Sequence, residues 1–374
     1  MSAPKTFTVA SLPGDGIGPE VVSATRQILV ELEQCVPEFH LSFVHYDAGA
    51  THFQATGEPL PDETLKACEQ ADAIFLGAMG LPDVRSPAGT EISPQLDIRD
   101  RFELFAGVRP IITMPGLPPV LAAAQSADID LVLIREQTEG FFYGRGKTEY
   151  RDGVAYDTMA ISEQGTRRLT EFALAFAGQR GPRRGASKPR LTLVDKANVF
   201  GSMAYFREVF LSTVGDSQAV DTDCAYVDAV SLNLVRQPWI FDVIVTENQF
   251  GDILSDLCAG LIGSMGLAPS ADIGLKHAMF QPAHGSAPDI VGRGLANPVA
   301  AILSAAMMLE WLGAREPDPI VSAAATKGAN LLDSATRAAF ADGRLIPPDF
   351  GGGSGTADIT AAIMQSLRRL AASA

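Results

Sequence analysis

Short apolar runs and longer segments with helical periodicity alternate along this chain, and this alternation constrains the fold more than any other feature. Four of the apolar runs are TFTVASL (6–12), IDLVLIRE (129–136), PRLTLVDK (189–196) and WIFDVIVTE (239–247). Between such runs lie segments such as GPEVVSATRQILVELEQCV, which opens with a proline and a glutamate, as helices do. The alternation predicts an α/β fold in which helices cover a sheet.

The size and charge of the chain narrow its class. A length of 374 residues is too great for one ordinary hydrophobic core and predicts two domains. The formal net charge of −15 disfavours nucleic acid or an anionic membrane surface as a partner, although it is compatible with a local basic pocket. No run approaches the roughly 20 apolar residues that a membrane span needs. The four cysteines lack metal-type spacing, so we expect a reduced, cytoplasmic protein without a signal peptide.

Two aspartates stand four residues apart in TENQFGDILSD (246–256), where a strand-like run gives way to a turn. Residues i and i+4 share one face of a helix, so Asp252 and Asp256 would point the same way and repel each other. A hard divalent cation suits two carboxylates, because it also leaves positions for water and substrate. A solvated acidic first turn, which the helix dipole favours, is the alternative. Spacing alone leaves both interpretations open.

Three arginines and a lysine stand next to strand-like segments. Arg99 and Arg109 bracket DRFELFAGV, and Arg135 ends IDLVLI. The planar fork of arginine matches a carboxylate, so three arginines around one pocket would hold a dianion, although each alone fits a surface residue equally well. Lys196 ends the run LVDK. Beside a metal and other cations its pKa would fall far enough for it to act as a base, whereas its sequence context also fits a surface lysine.

Two glycine-containing segments are candidates for a cofactor site. GDGIGPE (14–20) follows the first strand-like run, but Pro19 follows Gly18 and the third glycine of the dinucleotide-binding fingerprint is missing. This segment is therefore more typical of a tight turn between a strand and a helix. The loop HGSAPDIVGRGLAN (284–297) is the better candidate, because its small residues allow a ligand to approach the backbone. Its histidine could equally be a structural loop residue.

Five segments occur in an order that resembles one enzyme family. They are GDGIGPEVV (14–22), VDKANV (194–199), YVDA (226–229), VTENQFGDILSDL (245–257) and HGSAPDIVGRGLANPVAAILSAAMMLE (284–310). Together they resemble the β-decarboxylating dehydrogenases, which act on isopropylmalate, isocitrate, homoisocitrate, tartrate or D-malate. The resemblance implies a two-domain, isopropylmalate-dehydrogenase-like α/β fold with mixed sheets flanked by helices, rather than a Rossmann fold. It also implies a cofactor-side domain (1–108 with 265–374) and a domain for substrate, metal and dimerisation (109–264).

The resemblance assigns roles to the charged residues. A Mg²⁺ or Mn²⁺ ion would be held by three carboxylates, one of them from the other subunit of an obligatory homodimer. These carboxylates belong to Asp252, Asp256 and Asp228. Lys196 would be the catalytic lysine, acting in the partner's site with Asp228 beside it. A small dicarboxylate substrate would be bound by Arg99, Arg109 and Arg135.

The resemblance also implies that the second glycine-containing loop wraps the adenosine half of the cofactor. The binding residues would be His284, Gly285, Ser286, Ala287, Asp289, Ile290 and Asn297. NADP-dependent members of the family carry Lys-Tyr in place of Asp289 and Ile290, and an aspartate would repel a 2′-phosphate. The expected cofactor is therefore NAD.

One catalytic position departs from the family. The family has a proton-donating tyrosine seven residues after the arginine that Arg135 matches, and Phe142 occupies this position here. Tyr143, one residue later, is the expected acid if the backbone shifts slightly. Otherwise Tyr143 is a packing aromatic, and water or Lys196 donates the proton.

The substituent at C3 of the substrate is expected to face TEISPQL (90–96). Isopropylmalate enzymes have leucines four and three positions before the arginine matched by Arg99, where this chain has Gln95 and Leu96. Ser93 and Gln95 loosely imitate the serine and asparagine of isocitrate enzymes. Burying an unmatched amide against an isopropyl group would cost about 1–3 kcal/mol. The segments VRPIITMPGLPPVL and DIDLVLIREQTEG also resemble the tartrate and D-malate branch more than the leucine-pathway branch. We therefore expect oxidative decarboxylation of a (2R)-malate-type acid with a small or polar substituent, as in D-malate and tartrate dehydrogenases.

Two alternatives stay open at this point. One is a 3-isopropylmalate dehydrogenase of leucine biosynthesis. The other is a catalytically idle homologue that binds metal and dinucleotide as a regulatory subunit, although such a protein has no need of the base Lys196.

Overall fold

The computed structural model describes residues 4–122, 129–215 and 219–373. The strands in these ranges are β1 (Lys5–Gly14), β2 (Phe39–His45), β3 (Ala73–Ala78), β4 (Ala106–Ile112), β5 (Asp130–Glu136), β6 (Glu149–Arg151), β7 (Val154–Tyr156), β8 (Arg190–Asp195), β9 (Asp221–Tyr226), β10 (Val243–Thr246), β11 (Pro269–Ile273) and β12 (Ala278–Pro282). The α-helices are α1 (Gly18–Cys35), α2 (Ala50–Thr56), α3 (Asp62–Gln70), α4 (Pro94–Arg101), α5 (Glu163–Arg180), α6 (Gly201–Val214), α7 (Val227–Arg236), α8 (Asn248–Leu261), α9 (Val299–Arg315), α10 (Pro319–Phe340) and α11 (Thr356–Ala371).

Ten of these strands form one continuous sheet in the order β2-β1-β3-β12-β11-β4-β5-β10-β8-β9. The pairs toward both edges are parallel, whereas β12, β11, β4 and β5 pair antiparallel with one another in the centre. A Rossmann sheet is parallel throughout this region, so the expected mixed α/β fold is confirmed. The expected division into two domains would cut the sheet within β4, and it stays a prediction.

Helices bury both faces of the sheet. Every residue of β3 and β10 is buried, as expected for strands that are covered on both sides. Helix α9 packs on β11 and β12 and is itself covered by α10, which explains why its residues 299–306 are all buried. No helix in the described parts of the chain is long and apolar enough to cross a membrane.

The parallel strands β5, β10 and β8 bring several of the candidate residues to one edge of the sheet. Thr246, at the end of β10, lies opposite Arg135 on one side and Val194 on the other. Lys196 directly follows β8, and α8 begins two residues after β10. Because the carboxyl ends of parallel strands meet at the same edge, this is where a site is expected.

Candidate active site

Three arginines lie inside the protein at this edge. Arg109 and Arg135 belong to the antiparallel neighbours β4 and β5 and share one face of the sheet, because Gly107 lies opposite Arg135. Arg99 approaches from α4. Only 6% of Arg99, 6% of Arg109 and 2% of Arg135 is exposed. Burial lowers the pKa of Arg135 to about 10, so its guanidinium stays charged near neutral pH.

Helix α8 fixes Arg135 from the side. The Oδ1 atom of Asn248 accepts hydrogen bonds from Nε of Arg135 at 2.9 Å and from Nη2 at 2.6 Å, and Nη1 donates to Asp252. The helix can approach this closely because residue 251 is glycine, where a Cβ would lie 2.6 Å from Cγ of Arg135. Glu247 caps the helix by accepting two hydrogen bonds from backbone N–H groups of its first turn.

Asp252 and Asp256 form an acidic face on α8 next to the arginines. Asp252 keeps 52% of its side chain exposed although it pairs with Arg135. Burial raises the pKa of Asp256, and the charge of Asp252 raises it further, which Arg109 and Arg135 offset only in part. Oxygen donors with surplus negative charge are a set that a hard divalent cation fits. In the described residues of a single chain, no group of three or more His, Cys, Asp or Glu could hold a metal ion.

Lys196 and Asp228 lie together, with 23% of the lysine side chain exposed. Lys196 follows β8 and Asp228 lies in the first turn of α7, where the Nζ atom of Lys196 donates to Oδ1 of Asp228 at 2.8 Å. The side chain of Asp228 is 69% exposed. The hydrogen bond from Lys196 lowers the pKa of Asp228. The structure thus pairs these two residues, but within one described chain it does not join Asp228 to Asp252 and Asp256.

The turn Phe141–Gly144 carries the two aromatic residues that compete for the position of the acid. The ring centre of Phe142 lies 4.9 Å from the guanidinium carbon of Arg135. Tyr143 is 46% exposed, and the Nζ atom of Lys147 lies 3.7 Å from its ring centre. Phe142 therefore faces the arginine cluster, whereas Tyr143 is more exposed to solvent and lies beside a lysine.

Ser93 and Gln95 stand at the start of α4. Ser93 occupies the N-cap position without a capping hydrogen bond from its side chain. The Oε1 atom of Gln95 is buried and has no hydrogen-bond partner. Arg145 connects the same helix to the turn at 141–144 through two of the helix's aspartates, at 2.7 and 2.9 Å. The start of α4 and the turn therefore lie close to each other.

The segment GDGIG forms a tight turn that supports the other glycine-containing loop. Gly14 and Gly16 adopt positive φ angles of 71° and 58°, which favour glycine. The N–H group of Ile17 donates to the backbone oxygen of Ser286 at 2.8 Å. A Cβ on Gly16 would lie 1.9 Å from that same oxygen. The first segment therefore contacts the loop that begins at His284.

That loop presents several polar groups. The Nε2 atom of His284 is buried without a hydrogen-bond partner, and burial lowers the pKa of this histidine. Gly285 has open space where a side chain would be, and Asp289 is exposed in the short turn Pro288–Ile290. Asn297, at the end of the loop, donates a hydrogen bond to Asp349 at 3.2 Å. Together with Ser286, Ala287 and Ile290, these are the residues that we predict to bind a dinucleotide.

The structure adds a buried carboxylate that sequence reasoning missed. Asp272 of β11 accepts hydrogen bonds from Arg99 at 2.9 Å and from Gln281 at 2.7 Å, and Gln137 donates to its other oxygen. Its side chain is fully buried. The available signal is a lone acidic residue in the strand PSADI, but nothing local in the sequence places it beside an arginine 173 residues away.

Comparisons with known proteins agree with this geometry. The model of the isocitrate/isopropylmalate dehydrogenase family matches residues 8–363. A 3-isopropylmalate dehydrogenase of Methanothermobacter thermautotrophicus is 38% identical, over 97% of this chain and 99% of the relative. A 3-isopropylmalate/3-methylmalate dehydrogenase of Methanocaldococcus jannaschii is 34% identical, over 96% and 98%. The crystal structure of an isocitrate dehydrogenase from Methylococcus capsulatus matches with a TM-score of 0.83 at 34% identity, over 97% of this chain and 99% of that chain.

These relatives correct the expected substrate branch. Several full-length relatives at 36–38% identity are named 3-isopropylmalate dehydrogenase, so the expectation of a D-malate- or tartrate-like enzyme is wrong. It rested in part on Ser93 and Gln95, and the polarity of these two side chains does not fix the direction in which they point. Over nearly its whole length, in sequence and in fold, the chain belongs to the isocitrate/isopropylmalate dehydrogenase family.

Proposed function

We propose that this protein is a 3-isopropylmalate dehydrogenase that oxidises and decarboxylates its substrate with NAD and a divalent cation, Mg²⁺ or Mn²⁺. The observation that carries the proposal is the cluster of three buried guanidinium groups beside Asp252 and Asp256. Guanidinium groups suit the two carboxylates of a malate-type acid. The names of relatives that match nearly the full length support isopropylmalate as the substrate.

Arg99, Arg109 and Arg135 would bind and orient the substrate. All three are buried, and hydrogen bonds to Asp272 and Asn248 hold Arg99 and Arg135, so these arginines would bind the carboxylates with little further loss of side-chain freedom. When bound, the cation at Asp252 and Asp256 would supply Lewis-acid stabilisation of charge on the substrate oxygens, and NAD would accept the hydride.

We propose that Lys196 of the partner subunit accepts the proton of the substrate hydroxyl. The pair formed by Lys196 and Asp228 is partly exposed, and in the described part of one chain Asp228 does not reach the other two aspartates. Exposed apolar side chains lie nearby in the chain, in the loop after β8, at the end of β9, on α7 and on α8: Val199, Phe200, Tyr226, Leu232 and Ile253. A second copy of the chain would cover this surface and bring the pair to the neighbouring site. We therefore propose a homodimer with shared active sites.

Tyr143 is the proposed proton donor to carbon. Phe142, which faces Arg135, has no transferable proton. Tyr143 is the adjacent phenol, and the nearby Lys147 would stabilise its charged form after the proton has left. A Tyr143→Phe variant with unchanged turnover would assign this proton to water or Lys196.

NAD is the proposed dinucleotide because of the loop that begins at His284. Asp289 is exposed there and could accept hydrogen bonds from ribose hydroxyls, whereas it would repel a 2′-phosphate. The unpartnered Nε2 atom of His284 is a polar group that the bound cofactor would satisfy.

Initial rates with isopropylmalate, isocitrate and homoisocitrate test the proposal, each with NAD⁺ or NADP⁺ and with Mg²⁺ or Mn²⁺. We expect isopropylmalate with NAD⁺ to give the highest kcat/KM and to release CO₂ and NADH in equal amounts. A preference for a tricarboxylate, or no turnover with any pair, would contradict the proposed function. NADH formed without CO₂ would contradict the decarboxylation step.

A further inference from the structure

Asp272 and Arg135 lie on either side of the same glycine in the sheet. Gly107 of β4 lies opposite Asp272 of β11 on one side and opposite Arg135 of β5 on the other. Directly opposed residues share a sheet face, so the carboxylate and the guanidinium flank a position that has no side chain. The amide of Gln137 fills the space above this glycine, 2.3 Å from where a Cβ would be. Asp272 therefore belongs to the wall of the arginine pocket.

Asp272 is charged and holds one of the arginines. Burial alone would raise its pKa, but Arg99, Arg109 and the hydrogen bond from Gln137 bring it below its ordinary value. Its Oδ2 atom accepts from the Nε atom of Arg99 at 2.9 Å. A hydrogen bond through Nε leaves the two terminal amino groups of Arg99 for another anion.

The net charge of the pocket matches a dicarboxylate only when the carboxylate of Asp272 is counted. Within one chain, three guanidinium groups interact electrostatically with three carboxylates, those of Asp252, Asp256 and Asp272. The proposed divalent cation would leave the pocket with a surplus of two positive charges, because the ion pair of the partner's Lys196 and the partner's Asp228 adds no net charge. This surplus is the charge that a dicarboxylate substrate neutralises. Without Asp272 the surplus would match a tricarboxylate instead.

We propose that Asp272 is a specificity-determining residue, which sets the net charge of the pocket so that it accepts dicarboxylates and disfavours tricarboxylates while it positions Arg99. This inference deepens the proposed function and rests on it, because the charge balance includes the proposed cation.

The hydrogen bonds of Asp272 would not by themselves require a charge at this position. An asparagine could accept the hydrogen bonds from Arg99 and Gln281 with one atom and donate with the other. The Oε1 atom of Gln137 is buried without a partner, so a flip of that amide would accept the new donor. A buried carboxylate also costs more desolvation free energy than an amide does. The negative charge therefore acts as counter-charge to the arginines, beyond what the hydrogen bonds need.

The test compares two inhibitors that share the succinate skeleton, the dianion isopropylsuccinate and the trianion tricarballylate. Their dissociation constants are measured by calorimetry with Mg²⁺ at constant ionic strength, and kcat/KM is measured for isopropylmalate and isocitrate. The wild-type protein is expected to bind the dianion more tightly. Asp272→Asn should shift the ratio of the two dissociation constants toward the trianion by on the order of 10- to 100-fold, from one unit charge at an effective dielectric constant of about 20.

Two further variants separate charge from structure. Asp272→Asn combined with Gln137→Glu restores one negative charge at hydrogen-bond distance and should restore the wild-type ratio. Asp242→Asn removes another buried carboxylate. Asp242 accepts a hydrogen bond from Arg180 at 2.8 Å and lies away from the pocket, so this variant should leave the ratio unchanged. If Asp272→Asn does not fold, the dissociation constants of the wild-type protein still test the proposal. Tighter binding of the trianion than of the dianion would overturn it.

Failure of this inference can be distinguished from failure of the proposed function. A wild-type protein that oxidises isopropylmalate, together with an unchanged ratio in Asp272→Asn, would overturn the role of Asp272 alone. A wild-type protein that turns over no substrate would overturn the proposed function, while the inhibitor ratio would still support or contradict the charge argument.

Discussion

The arginine side and the lysine side of the candidate site differ in how completely one chain builds them. Arg99, Arg109 and Arg135 are buried, and Asp272 and Asn248 fix two of them by hydrogen bonds. The pair formed by Lys196 and Asp228 is bordered by exposed apolar residues. Core packing orients the buried groups, whereas exposed groups keep conformational freedom until something covers them. The difference supports our proposal that one chain binds the substrate and that the proton is transferred between two chains.

The largest expected effect follows from removing the base. Lys196→Ala should lower kcat by on the order of 100- to 10,000-fold and leave KM within a few-fold, because a general base acts in the transition state more than in binding. Steady-state kinetics with isopropylmalate measures both constants. Lys188→Ala is the control, since Lys188 forms a surface ion pair at 3.8 Å from Asp221. An unchanged kcat in Lys196→Ala would overturn the assignment.

The next largest effect is expected on the free energy of unfolding, which should differ between the arginine side and the lysine side. Asp272→Ala is expected to lower the free energy of unfolding by about 3–5 kcal/mol, because it leaves buried guanidinium groups without their counter-charge. Asp228→Ala should lower it less, because Asp228 is exposed within one chain and water screens its ion pair there. Urea denaturation measures both values. Equal losses in the two variants would contradict the contrast between a buried and an exposed side.

Glu136 gives the arginine side a pH dependence. Burial raises the pKa of Glu136 to about 7 from an ordinary value of 4.5. Between these values the folded state keeps a proton that the unfolded chain has released, so stability falls as the pH rises through this window. The free energy of unfolding of Glu136→Gln should therefore rise by up to roughly 3 kcal/mol relative to the wild type across this pH window. Unfolding curves at several pH values measure the gain, and curves that stay parallel would contradict it. Glu163→Gln, an exposed change, is the control.

The smallest expected effect concerns two glycines of α8. Gly251→Ala should lower the free energy of unfolding by about 1–3 kcal/mol and weaken substrate binding, because the new Cβ would displace the aliphatic part of Arg135. Gly260→Ala, in the last turn of the same helix, has no atom within 4 Å of the new Cβ. It should gain up to about 1 kcal/mol from the higher helix propensity of alanine. Thermal unfolding and the KM of both variants measure the contrast, which equal effects would contradict.

The sequence predicted the elements of this site better than their contacts. The apolar run 129–136 predicted β5, and the spacing of Asp252 and Asp256 predicted a shared face on α8, because both patterns are local. The pairing of β11 with β4 is not local, so the contact between Asp272 and Arg99 could not be inferred. Counting residues located Phe142 but could not show which ring faces Arg135, since that depends on the turn.

The polarity of the C3 pocket was the least predictable feature. Ser93, Gln95 and the likeness of two short segments led to the wrong substrate branch, because short segments carry less information than the likeness of the whole chain. The homodimer, the cation and the roles of individual residues stay proposals that the experiments above address.

A purified mixed dimer tests the central claim of shared active sites most directly. One subunit carries Lys196→Ala and the other Asp252→Asn, each with its own affinity tag, and the dimer that bears both tags is assayed with isopropylmalate. If the lysine acts in the partner's site, one site of the mixed dimer is intact, and about half of the wild-type activity is expected from the two-fold symmetry. Both single-variant dimers should be nearly inactive. A mixed dimer as inactive as they are would contradict the account.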